Sequence, residues 1–174
     1  MALSMYQVSI PVFVRGLGVL ATLLDKAATY ADDKGIDPAT LVEARLAPDM
    51  MTLAAQIQRA SDTSKLAAER LTGRASPRFE DIERTLPELQ QRIASTVAYL
   101  TTIDDAAMAG SEQRSVTLSF GSFKPTFTGE QYLLTFALPN FFFHVTTAYD
   151  ILRHQGLAIG KRDYLGPYAE VSPP

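Results

Sequence analysis

The chain has 174 residues, 47% of them hydrophobic and 20% charged, with 16 basic and 19 acidic side chains giving a net charge of −3. That composition suits one compact domain over residues 1–174, excludes long disordered tracts and, lacking a clustered basic face, argues against nucleic acid as a partner. The absence of cysteine excludes disulfides, thiolate catalysis, zinc–thiolate sites and iron–sulfur clusters.

The N-terminal stretch MALSMYQVSIPVF has no Lys or Arg ahead of its apolar residues, so no secretory leader is expected. Pro11 and Arg15 break its apolar run well short of the ~20 residues a membrane helix needs. The expectation is a soluble, cytoplasmic protein with no membrane partner. Phe13, Leu17, Leu20, Leu24 and Ala27 mark one face of a first helix, and Val12, Gly16, Val19 and Leu23 form a second stripe beside it. Gly16 and Gly18 each disfavour a helix by ~1 kcal/mol against alanine, so either another backbone approaches closely there or they loosen the helix. Gly35 is placed as its C-cap.

Asp37-Pro38 reads as an N-cap followed by proline at the first helical position, opening a short helix to Leu46. From Leu46, the residues Met50, Leu53, Ile57, Ala60, Ser64, Ala67 and Leu71 keep heptad spacing, the seam of a bundle helix closed by Gly73. A third helix is predicted from Ser76-Pro77, burying Phe79, Ile82, Leu86, Leu89, Ile93, Val97 and Leu100 and interrupted at Pro87. The stretch RSVTLSFGSFKPTFTG alternates apolar and polar residues about Gly121-Ser122, which reads as a β-hairpin over about 114–128. Thr128 with Gln131 forms a capping-box pattern and opens a last helix that runs to His154, kinked at Pro139. The tail, 157–174, has several Gly and Pro breaks and reads as an extended wrap, with Lys161-Arg162 in a solvated turn. The fold class is therefore all-α: a four-helix bundle with a small hairpin inserted before the last helix.

The last helix, PNFFFHVTTAYDILRHQG, holds both histidines. Leu134, Phe141, Val145, Ala148 and Leu152 form its core stripe, while Phe136, Phe143, Thr147, Asp150 and His154 lie on roughly the opposite side, with His144 between. Asp150 and His154 are four residues apart and so neighbours. Two readings stand: a metal-ligand pair, or a hydrogen-bonded pair in which Asp150 orients a histidine near a helix C-terminus. Further ligands would have to be carboxylates such as Asp49 or Glu43, the amide of Gln56, or water. Phe136, Phe143, Thr147 and Gln56 are the candidate lining of a ligand pocket. No nucleophile-elbow or phosphate-loop motif is present.

The segment from Tyr132 to Arg162, with PNFFFHVTTAYDILRHQG and GKRDYLG, resembles the C-terminal half of a bacterial family designated domain of unknown function nineteen ninety-three, near the DinB-like and YfiT-like metalloenzymes. The Met5-Tyr6 start, LAPDMMTLAAQIQRASDTSK and the hairpin match in order, so the resemblance covers most of the chain. It implies a DinB-like four-helix bundle, often a homodimer, with a divalent metal such as nickel, zinc or manganese on three histidines. One of these comes from the second helix and two from a His-x-x-x-His in the last. On that pattern His154 matches the end of the motif and Asp150 stands where its other histidine falls. His144 is a further candidate ligand, and residues 41–72 contain no histidine. The alternative is a non-catalytic homodimer that binds a small apolar molecule or only packs.

Overall fold

The computed structural model describes residues 3–167. Helix α1 (Ile10–Lys34) buries both of its stripes apart from half-buried Val12 and ends at Gly35, whose φ of 63° lies in the left-handed region that glycine adopts without strain. Gly16 is tight because of a ring rather than a backbone. A Cβ there would stand 2.5 Å from the Phe141 ring of the last helix, whereas one on Gly18 would meet nothing within 4 Å. Helix α2 (Pro38–Val42) starts as predicted, with the Asp37 side chain accepting from the Ala39 N–H. It stops at Val42, short of the predicted Leu46. Helix α3 (Leu53–Thr72) is capped by Thr52, so Leu46 and Met50 fall outside the seam that Leu53 to Leu71 builds.

The third expected helix begins a full ten residues late. Helix α4 (Leu86–Leu100) opens on a capping box, Thr85 with Glu88, and Pro87 sits in its first turn, where the missing N–H does no harm. Residues 74–84 have no regular structure, Ile82 is 67% exposed, and Phe79 packs against cationic side chains instead of the core. After the short α5 (Asp105–Met108), strands β1 (Ser115–Thr117) and β2 (Thr126–Thr128) pair antiparallel with Val116 opposite Phe127. A bridge between Phe120 and Phe123 closes the tip around Gly121-Ser122.

The Thr128–Gln131 capping box opens α6 (Gly129–Tyr132), which runs through a π-helical turn (Leu133–Ala137) into α7 (Leu138–His154). The irregularity thus lies in the turn before Pro139. The proline ring crowds the carbonyl four residues back, and a widened turn, with the Leu138 N–H bonded to the Leu133 carbonyl, makes room for it. That turn also rotates Leu134 out of the expected core stripe, to 49% exposure. The start of the tail is anchored by buried Leu157 and Ile159 and forms α8 (Lys161–Leu165), tied to α1 by Lys26–Asp163 at 2.7 Å. The rest of the predicted wrap, 168–174, lies outside the described residues.

The chain is mostly helical with one small antiparallel hairpin, and α1, α3, α4 and α7 pack on one another around a continuous apolar core. Among the described residues no helix is long and apolar enough to cross a membrane.

Candidate functional site

The last helix divides the three candidate metal ligands. His144 is buried, 8% exposed, and its Nδ1 lies 2.7 Å from Oε1 of Gln56 on α3. An amide oxygen only accepts, so Nδ1 carries the proton and Nε2 is left as the basic nitrogen. Burial first, and the positive charge of Arg59 second, pull His144 down from an ordinary 6.5 to about 4, so the imidazole is neutral at physiological pH. His154, by contrast, is exposed and Asp150 half-buried at the far end of α7, and no hydrogen bond or ion pair joins them. Among the described residues no three His, Asp or Glu side chains gather in a metal-binding group.

The four residues expected to line a pocket are dispersed as well. Gln56 is held by His144 and donates to the Met51 carbonyl, the Thr147 hydroxyl donates to the Phe143 carbonyl one turn back, and Phe143 is 56% exposed. Phe136 does line a cleft. That cleft, about 270 Å³, lies between α3, the π-turn and the hairpin, with Arg59, Arg70, Asn140, Leu118 and Phe120 among its walls. Asn140 donates to the Thr63 hydroxyl at 2.8 Å, and Thr63 donates to the Arg59 carbonyl, tying α7 to α3 beneath it. His144 stands one turn beyond Asn140.

Behind the cleft lies a charged cluster that sequence reasoning missed. The Arg92 side chain on α4 is fully buried, with Asp62 at 2.9 Å, Asp81 at 2.7 Å and Glu83 at 3.0 Å. Its Nε donates to Ser61 and its guanidinium lies 4.6 Å from the Phe79 ring centre. Burial works against that charge, but Asp81 and Glu83 outweigh it and hold Arg92 above its ordinary range. Arg59 pairs with Asp81 and Asp62, and Lys65 with Asp62. Three cations meet three carboxylates. The Arg59, Asp62, Lys65 spacing on α3 was a readable signal; that residues 74–84 would cross α3 and α4 to deliver Asp81 and Glu83 was not.

Residues 5–165 match the family model described as domain of unknown function (DUF1993). The chain belongs to the DUF1993 family. It is also similar to a crystal structure of a DinB family member protein from Shewanella denitrificans, at 38% identity over 97% of this chain and 96% of that one, with a TM-score of 0.90. This agrees with a place in the DinB-like superfamily. No curated protein matches the sequence. For a DUF1993 chain, then, the DinB-like fold is in place, while the pair that joins α3 to α7 at His144 is one imidazole and one amide.

Proposed function

We propose that this DUF1993 protein is a small-molecule-binding, DinB-like bundle with its binding site in the cleft between α3, the π-turn and the hairpin. The observation that carries this reading is the cleft itself, about 270 Å³ with Phe120, Phe136, Arg59 and Arg70 in its walls, while the Gln56–His144 pair speaks against a metal. A divalent cation wants anionic or several strong neutral donors, and the pair offers one amide oxygen, already bonded, and one nitrogen, with Arg59 adding positive charge nearby. That donor set does not fit nickel, zinc or manganese, and Asp150 and His154 lie elsewhere on the helix.

The test is metal analysis of protein made without a histidine tag, together with thermal unfolding in the presence of nickel, zinc and manganese. No stoichiometric metal and no shift are expected; bound metal that disappears in His144→Ala or His154→Ala overturns the reading. A fragment screen read by amide chemical shifts locates the site, with responses expected at Arg59, Phe136 and Asn140.

The homodimer expectation draws its support from the apolar edge that the π-turn and α7 leave exposed, at Leu134, Phe142 and Phe143. Light scattering at micromolar concentration tests it, and a monodisperse monomer removes it.

A further inference from the structure

Arg70 stands apart from the charged cluster. It is half-buried in the cleft wall, its Nη1 donates to the Tyr132 hydroxyl at 2.9 Å, and its guanidinium lies 5.6 Å from the centre of that ring. Burial raises the Tyr132 phenol above its ordinary range, so this partner is neutral and does not compensate the charge. No carboxylate pairs with Arg70 among the described residues. The Tyr132 bond engages one of five N–H donors, leaving an edge of the planar fork for a bidentate acceptor.

The rest of the cleft limits what that acceptor can be attached to. The acid in its wall, Asp62, is already matched from behind by Lys65 and Arg92, so it does not cancel the Arg70 field. Phe120 and Phe136 pack at a tilt of 55° with ring centres 5.8 Å apart, and Phe136 stacks on Tyr132 at 6.0 Å, so one side is aromatic from hairpin to helix. A volume of about 270 Å³ holds a molecule of one ring and a short side chain.

We infer that the cleft binds a small aromatic carboxylate, its carboxylate paired with Arg70 and its ring packed on the Phe120–Phe136 pair. The inference rests on the cleft being the binding site and adds the chemical class of its ligand. Charge-assisted, bidentate hydrogen bonds supply the affinity, and the aromatic wall selects a flat body over an aliphatic one.

The test titrates the intact protein with phenylacetate and with its neutral counterpart 2-phenylethanol, following backbone amides by NMR. Phenylacetate is expected to shift Arg70, Phe120 and Phe136 saturably and to bind about tenfold or more tightly than the alcohol. Arg70→Gln should bring the acid down to the level of the alcohol. Phe120→Ser, at an exposed position where folding is not at stake, should weaken both ligands alike. Equal binding of acid and alcohol in the cleft overturns the carboxylate assignment and leaves the cleft reading standing. If neither probe binds, the aromatic-acid assignment is overturned, and the fragment screen then decides the cleft reading separately.

Discussion

Helix α3 carries two buried polar centres that solve the same problem in opposite ways. Towards α4, Arg92 keeps a full charge with no solvent contact because Asp62, Asp81 and Glu83 come to it. Towards α7, His144 is met by the Gln56 amide, with no carboxylate bonded to it among the described residues, and it gives up its charge. A guanidinium cannot shed its proton at any accessible pH, so its burial demands counter-charges; an imidazole can, so its burial selects the neutral form. The interior is thus charged between α3 and α4, where Asp62 and the acids of the 74–84 segment converge on Arg92, and neutral where α3 meets α7 at His144.

The comparison breaks hardest at the charged end. Arg92→Ala leaves three carboxylates without their shared partner and should destabilise the fold by ~3–5 kcal/mol, read by chemical denaturation. Next comes acid. Folded His144 titrates at about 4 and the unfolded chain near 6.5, so the unfolded state takes up the proton first as pH falls. The contribution is whole above pH 6.5 and is lost as pH drops towards 4, a fall of ~3 kcal/mol that His144→Gln should remove from the stability–pH curve. Smaller again, Gln56→Ala orphans the His144 Nδ1–H and should cost ~1–3 kcal/mol in the same assay. Gln56→Glu sharpens the contrast by importing the logic of the charged centre: the His144 midpoint, followed by proton NMR, should rise by roughly 1–3 pH units. Asp150→Ala and His154→Ala, at half-exposed and exposed positions whose side chains bond to no other element among the described residues, should each stay within ~0.5 kcal/mol.

Much of the frame was legible because its signals are local. The glycine C-caps at Gly35 and Gly73, the Asp37 cap, the Thr128–Gln131 box and the hairpin about Gly121-Ser122 all lie within four residues of the backbone groups they satisfy. Where the reading failed, a local rule was set against a better one nearby. The apolar spacing of Phe79 and Ile82 ran smoothly into α4, yet Thr85-Leu86-Pro87-Glu88 is the stronger start, a capping box with proline in the first turn. Pro139 was read as a kink, and the chain answered with a π-turn before it, which moved Leu134 out to solvent.

The site was less legible, since spacing along one helix says which side chains are neighbours and not what they face. Asp150 and His154 are neighbours on α7, yet they stay unjoined, one half-exposed and the other exposed. His144, between the two assigned faces, is the histidine that meets another helix, and its partner Gln56 lies 88 residues away.

From sequence alone came the helical class, the caps, the hairpin and the family, because hydrophobic period and capping chemistry act over one or two turns. Tertiary structure alone decided which histidine is buried and neutral, which acids reach Arg92, and that Arg70 faces a cleft with no carboxylate paired to it among the described residues. Those outcomes depend on dielectric and on distance between segments far apart in the chain, and neither quantity exists until the helices have packed.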